Sequence, residues 1–243
     1  MSNDDVVVSR ASSAFLIAGG VAALVGGATH GDLPEDSGAA ALRFLTDHPA
    51  YALVHFVSIL GGVLWALGLA GADGVRSSDL ARWLMRSSGR AALVGAGALA
   101  VQFSLDGVGS EALAALWSEP GADRAMLETV AEMAPEVLVG VALTWVMLLY
   151  GLAPLLAGCA LVADGDGLLG WLGVVLGAFG TCGALVVALG STVVPDWLVF
   201  AGAIIGGSLW AIALGVHDLV RITRHQAAGK LATFPERRSS DPT

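Results

Sequence analysis

The segment AYALVHFVSILGGVLWALGLAG, residues 50–71, decides the fold class because it contains no Asp, Glu, Lys or Arg. An α-helix needs about 20 apolar residues to cross roughly 30 Å of hydrocarbon, and this segment is long enough. Five further predominantly apolar runs of sufficient length lie at 11–30, 89–113, 134–162, 168–190 and 197–217. The sequence therefore predicts an all-α, polytopic membrane protein, a bundle of six transmembrane helices.

The composition agrees with this fold class. Apolar residues make up 56% of the chain and charged residues only 14%, and the mean hydropathy is +0.75. A soluble domain is excluded by these values. The net charge of −9 and the scattering of only 12 basic residues argue against nucleic acid as a partner. Membrane lipids are the expected surroundings.

The polar segments divide the chain into one membrane domain, residues 11–217, and two cytoplasmic tails, 1–10 and 218–243. The opening MSNDDVVVSR is acidic and not a basic leader, so we expect the first apolar run to be retained. The first outer loop, DLPEDSGAAALRFLTDHP at 32–49, is long enough for a short interfacial helix. That helix is expected to begin near Asp36 or Ser37.

The distribution of Lys and Arg predicts the orientation. With a cytoplasmic N-terminus, ten basic residues fall on the inner segments, and only Arg43 and Arg124 fall on the outer ones. Basic residues accumulate on the cytoplasmic side of membrane proteins. We therefore predict a plasma-membrane protein with both termini in the cytoplasm and an acidic outer mouth.

Asp106 stands out because it lies in the outer half of the third apolar run. Gln102 and Asp106 share a helical face with small residues, so the carboxylate is expected to face neighbouring helices and to need a partner. His55 lies at a similar depth on the second run. Glu136 points into the same outer half from the fourth.

These residues predict an integral membrane enzyme that acts on a lipophilic, isoprenoid-like substrate by acid-initiated cyclisation in an outer-leaflet cavity. Asp106 is the predicted general acid, His55 its hydrogen-bond partner and Glu136 the second carboxylate. The resemblance to small integral membrane terpene cyclases is one of chemistry and size. Aromatic and polar side chains would line the cavity. These substrate-binding residues are Gln102, Ser58, Trp65, Thr144, Trp145 and Trp210.

Two other functions fit the same residues. In a proton- or ion-coupled carrier or sensor, Asp106, His55 and Glu136 would form a proton relay or ion site. An accessory subunit of a larger membrane complex would need only the glycine-rich helix faces, which also suggest a homo-oligomer. One such face contains Gly170, Gly173, Gly177 and Gly180.

A bound metal or haem is not expected from the sequence, and neither is any other cofactor. Five residues offer ligand atoms, but they lack the His and Glu spacings of known metal motifs. They are His30, Asp32, His48, His55 and Asp106. His48 and His55 are two helical turns apart, too far to share one ion directly.

Three segments carry a resemblance to a known family. They are FLIAGGVAALVGG at 15–27, DHPAYALVHFVSILGGVLWALGLAG at 47–71 and LLYGLAPLLAGCALVADGDGLLGWLGVVLGAFG at 148–180. The chain from about residue 12 to 217 resembles an uncharacterised family of bacterial six-helix membrane proteins, known only as a domain of unknown function. This resemblance implies the six-helix fold and no particular activity.

Overall fold

The computed structural model describes residues 3–31, 33–34, 36–191 and 193–232, and all regular structure in these ranges is helical. Seven helices of at least ten residues lie in these ranges. They are α1 Asn3–Thr29, α2 Gly38–Asp47, α3 Tyr51–Ala70, α4 Asp79–Ser118, α5 Arg124–Ala163, α6 Gly167–Ala188 and α7 Asp196–Ala232.

Six of these helices, all except α2, are long and apolar enough to cross a membrane. The prediction of an all-α protein with six long apolar helices is therefore confirmed. Helix continues into both predicted tails, since α1 begins at Asn3 and α7 reaches Ala232. The helices α4 and α5 are also longer than the apolar runs that predicted them.

The short helix expected in the first loop is present as α2. Ser37 caps its N-terminus by accepting a hydrogen bond from the Ala40 amide at 3.2 Å, as serine commonly does at this position. Leu42 and Leu45 are buried on one face of α2. They pack in a small apolar cluster with Tyr51, Ala114 and Leu127, which we call the cap cluster.

Small residues let the long helices approach closely. A Cβ on Gly19 of α1 would lie 2.5 Å from the Trp65 amide nitrogen of α3, so only glycine allows this contact. The glycines of the predicted seam on α6 pack mainly against α5, and a Cβ on Gly177 would lie 2.2 Å from the Leu155 nitrogen. Oligomer formation through glycine faces stays a prediction.

Two of the helices contain a wide π-helical segment, Leu105–Gly109 in α4 and Val146–Leu152 in α5. Such segments are frequent at functional sites. Asp106 lies in the first of them. The segment packs against α3, and this places the Asp106 carboxylate near the start of that helix.

Candidate metal centre

Three polar side chains from three helices meet at one end of the structure. His30 follows the last residue of α1, His55 lies one turn into α3, and Asp106 belongs to the π segment of α4. The Nε2 atoms of His30 and His55 are 3.0 Å apart. The Asp106 Oδ2 atom is 3.1 Å from His55 Nε2 and 3.7 Å from His30 Nε2. We call these three residues the His–Asp centre.

The backbone orients both imidazole rings. Gly31 adopts a positive φ of 66° directly after His30, which ends the helix and places the Gly31 carbonyl oxygen 2.8 Å from His30 Nδ1. In α3, His55 Nδ1 lies 2.8 Å from the Tyr51 carbonyl oxygen, one turn earlier. A carbonyl oxygen only accepts hydrogen bonds, so both Nδ1 atoms are assigned the proton.

This assignment leaves the Nε2 atom of each neutral ring as an acceptor. Two imidazole lone pairs and one carboxylate oxygen then point at the same small volume, and three acceptors repel one another. A positive charge between them removes the repulsion, either a proton or a metal ion. The donation of Nδ1–H to a backbone carbonyl is also the usual arrangement around a histidine that ligates a metal.

The spacing of the three atoms matches metal coordination. A point equidistant from atoms separated by 3.0, 3.1 and 3.7 Å lies about 1.9 Å from each, close to zinc–ligand bond lengths of about 2.0–2.2 Å. An ion displaced slightly from the plane of the three atoms would reach these bond lengths. The side chains therefore need little movement to bind one.

The surroundings of the centre are mostly apolar and aromatic. The His55 side chain is 1% exposed, Asp106 17% and His30 29%, so the cluster opens on the His30 side. The Phe103 ring lies 5.0 Å from the His55 ring. The Tyr51 hydroxyl donates to the second carboxylate oxygen, Asp106 Oδ1, at 3.3 Å.

Acidic residues around the centre join the helix ends to one another. Glu111 of α4 accepts a hydrogen bond from the Ala52 amide in the first turn of α3 at 2.8 Å. Glu132 of α5 accepts one from the first amide of α2, that of Gly38, at 3.0 Å. Carboxylates stabilise helix N-termini in this way. Some of the acidic residues that the sequence predicted at the outer mouth therefore serve as helix caps.

The residues predicted for the site divide into two groups. His55 and Asp106 are in contact, as expected. Glu136 is exposed on α5, and none of the described contacts of the His–Asp centre includes it. Ser58 lies one turn beyond His55 and donates to the Val54 carbonyl oxygen at 3.1 Å.

The predicted cavity residues are mostly packed against one another. The Trp145 indole donates to Gln102, and Trp65 is fully buried, edge-on to Tyr150 at 4.6 Å between ring centroids. Thr144 is exposed and donates to Gly140 O at 2.9 Å. Trp210 donates to Leu169 O at 2.9 Å. The pocket lined by Trp210 and the one lined by His217 do not adjoin Asp106.

Of the other predicted ligand candidates, only His30 joins His55 and Asp106. His48 stacks on Phe44 with 3.9 Å between ring centroids and lies outside the cluster. Asp32 lies outside the described residues. The antiparallel pairing of α1 with α3, visible in the close approach of Gly26 to Ser58, explains why His30 reaches His55.

A second charged cluster lies at the opposite end of α3 and involves residues the sequence analysis did not single out. Arg76 donates to both carboxylate oxygens of Asp218, and this pair is buried. Arg221 Nη1 lies 3.0 Å from Asp164 Oδ2 and 2.9 Å from Asp166 Oδ2. We call these five residues the ion-pair cluster.

Asp164 is the best-connected carboxylate of the ion-pair cluster. Burial raises the pKa of Asp164, but hydrogen bonds from Ser77 and Ser78 and the charge of Arg221 outweigh it. The pKa of Asp164 therefore falls below its ordinary value of 3.8. The ionised form of this carboxylate stabilises the fold.

The sequence matches no family model, no curated protein and no solved structure. The resemblance to a bacterial six-helix family therefore stays a prediction. What is established is an all-helical chain with six long apolar helices and a His–Asp centre between three of them.

Proposed function

We propose that this chain is an integral membrane protein whose function depends on a divalent transition-metal ion bound by His30, His55 and Asp106. The observation that carries the proposal is the convergence of three acceptor atoms at metal-bonding distances from one point. Two imidazole nitrogens and one carboxylate oxygen suit Zn²⁺ best among common biological cations, whereas Mg²⁺ and Ca²⁺ prefer all-oxygen sites.

The three side chains supply three positions of a tetrahedral site. A water molecule, a substrate atom or a group outside the described residues would take the fourth. A zinc-bound water loses a proton near neutral pH and becomes a nucleophile, so metal-assisted hydrolysis is the reaction that fits this ligand set. The partial exposure of His30 and Asp106 supports access for a substrate at the end of the bundle.

As a metal ligand, Asp106 has a different role from the general acid that the sequence predicted for cyclisation. Cyclisation needs Asp106 as a proton donor, whereas its oxygens here face the Tyr51 hydroxyl and two imidazole nitrogens. A carboxylate with such neighbours serves better as a ligand. Packing of Trp65 and Trp145 in the core also gives the cyclase cavity less support.

The position in the cell follows from the basic residues. Among the described residues, six arginines lie at the end with the ion-pair cluster, and basic segments remain in the cytoplasm. They are Arg10, Arg76, Arg82, Arg86, Arg221 and Arg224. We propose a plasma-membrane location with both termini cytoplasmic. The His–Asp centre then faces outward.

Metal analysis tests the proposal directly. Full-length protein purified in detergent and treated with a chelator is titrated with ZnCl₂ by calorimetry, and the loaded protein is analysed by mass spectrometry. We expect one ion per chain. The variants His30→Gln and Asp106→Asn should each weaken binding by about a hundredfold or more, since even changes beyond the ligands cost about 10–100-fold.

His48→Gln is the matched control, because His48 is an exposed histidine of the same region outside the centre. Its affinity for Zn²⁺ should equal that of the unaltered protein. Absence of Zn²⁺, Co²⁺ and Cu²⁺ binding in the unaltered protein, or equal binding by all three variants, would overturn the metal assignment.

A proton is the other cation that satisfies three convergent acceptors, and the predicted carrier or sensor would use it. The same 3.0 Å separation of two imidazole nitrogens favours this second candidate. Proton uptake by liposomes containing the metal-free protein would support it, and His30→Gln should then abolish uptake.

A further inference from the structure

An apolar groove runs along the outside of the structure between α6 and α7. It has a volume of about 280 Å³, and its polar lining is negligible. Trp210 and Gly206 form part of its floor on α7. The remaining lining residues are Leu169, Leu172, Leu176, Leu209 and Ala213. We call this feature the α6–α7 groove.

A basic pocket of about 460 Å³ continues the groove past the start of α6. It is lined by Asp166, His217, Val220, Arg221, Arg224 and His225. Leu169 of the groove lies one turn from Asp166, and Ala213 lies one turn from His217. Residues three or four apart share a helix face, so the groove and the pocket adjoin along the same helix pair, and we call the two together the channel.

The basic pocket holds more positive than negative charge. Its lining has one carboxylate, that of Asp166, and two guanidinium groups, those of Arg221 and Arg224. Asp164 and Asp166 already pair with Arg221, at 3.0 and 2.9 Å. Arg224 is exposed on the wall of the pocket, and it is the group that favours an anion there.

We infer that this channel binds one anionic phospholipid, with its phosphate at the exposed Arg224 and one acyl chain in the α6–α7 groove. Basic pockets between membrane helices on the cytoplasmic side bind such headgroups. The groove from Gly206 to His217 is about 16 Å long at 1.5 Å per residue, which accommodates much of an acyl chain. The inference rests on membrane insertion and is independent of the metal.

Other occupants match only one half of the channel. Inorganic phosphate would use the basic pocket and leave the groove empty, whereas a detergent tail would use the groove alone. A zwitterionic lipid brings its own cation towards Arg224, which lowers the attraction. An anionic phospholipid satisfies the apolar groove and the basic pocket together.

Native mass spectrometry of the full-length protein, released from detergent with added lipids, tests the inference. We expect one phosphatidylglycerol adduct, retained in preference to phosphatidylcholine. Arg224→Gln should weaken this binding about fivefold, since one basic residue near the membrane surface contributes about that factor. Ala213→Phe should weaken it as well, because the ring fills the groove without changing the charge.

Each variant has a matched control outside the channel. Arg90→Gln removes one exposed positive charge from α4, and Ile205→Phe enlarges an exposed residue of α7 beside the groove lining. Both controls should bind the lipid as the unaltered protein does. A thermal unfolding curve for every variant separates loss of the site from loss of the fold.

Three results would overturn the inference. Phosphatidylcholine could be retained as well as phosphatidylglycerol, or both channel variants could bind as the controls do. In the third, inorganic phosphate alone would compete fully with the lipid at equal concentration. Failure here leaves the zinc titration unaffected, so the two proposals are judged separately.

Discussion

At the scale of single residues, Gly107 fixes the distance between α4 and the buried imidazole of His55. A Cβ on Gly107 would lie 2.8 Å from His55 Cβ and 2.9 Å from His55 Cγ. The ring has no freedom to retreat, because its Nδ1 atom is bonded to Tyr51 O. Only glycine at this position lets Asp106 and His55 meet at 3.1 Å.

Gly107→Ala should therefore disturb the His–Asp centre. We expect a loss of about 1–3 kcal/mol in the free energy of unfolding from overpacking, and Zn²⁺ binding about tenfold weaker because a ligand is displaced. Gly109→Ala is the control, since a Cβ there meets nothing within 4 Å. Calorimetry and thermal unfolding measure both effects. Equal behaviour of the two variants would contradict the role of Gly107.

The sequence predicted part of this site and missed the rest for a physical reason. The prediction that His55 and Asp106 meet was correct, because the two residues lie at a similar depth on their apolar runs. His30 was named only as one of five possible ligands and was not expected to bind, because its position depends on where α1 ends, which Gly31 sets through its backbone conformation. The pairing of His30 with His55 also depends on the register of α1 against α3, which no periodicity within one helix reveals.

At the scale of helices, the ion pair between Arg76 and Asp218 fastens the turn before α4 to α7. Both side chains are almost fully buried, at 0% and 1% exposure. Removing one partner of a buried pair leaves an uncompensated charge, whereas replacing both by apolar residues often costs little. The pair therefore holds the ends of these helices in one arrangement.

Arg76→Met should lower the free energy of unfolding by about 3–5 kcal/mol. The double variant Arg76→Met with Asp218→Leu should recover most of this loss. Chemical unfolding in detergent measures the free energies. Arg86→Gln is the control, because the Arg86 side chain is 59% exposed where it pairs with Asp73, and such a pair should contribute at most about 1 kcal/mol. Equal effects of the two single variants would show that burial is unimportant here.

Asp164 makes the stability of the ion-pair cluster depend on pH. Its pKa in the folded protein is lower than the ordinary value of 3.8, so its ionised form contributes stability above that value. This contribution is lost as the pH falls below 3.8 towards the lowered pKa. In Asp164→Asn, the melting temperature should change less between pH 5 and pH 3 than in the unaltered protein, on a scale of about a few degrees. Equal slopes would contradict the assignment.

The helices themselves were easier to predict than their irregularities. The apolar runs predicted the positions of all six long helices, because the length of an apolar run can be read directly from the sequence. The π segments at Leu105–Gly109 and Val146–Leu152 were not foreseen. They depend on side chains packed by other helices, such as the contact of Gly107 with His55 and of Gly151 with Thr181.

At the scale of the whole molecule, the two polar ends should face different compartments. If the six long apolar helices cross the membrane as proposed, both termini lie on the side of the ion-pair cluster and the His–Asp centre lies on the other. In right-side-out vesicles loaded with metal, an impermeant chelator should remove the ion within minutes. In inverted vesicles it should not, until detergent is added. The opposite pattern would reverse the orientation.

The wide turn that holds Asp106 accommodates one residue more than an ordinary turn, because its hydrogen bonds span five residues and not four. Deleting Val108 would therefore let α4 wind regularly and leave Glu111 at nearly the same angle to the Ala52 amide. Ala114 would stay in the cap cluster for the same reason. A chain shortened by this one residue keeps every ligand and the outer cap, and it loses only the widened turn on which the carboxylate stands.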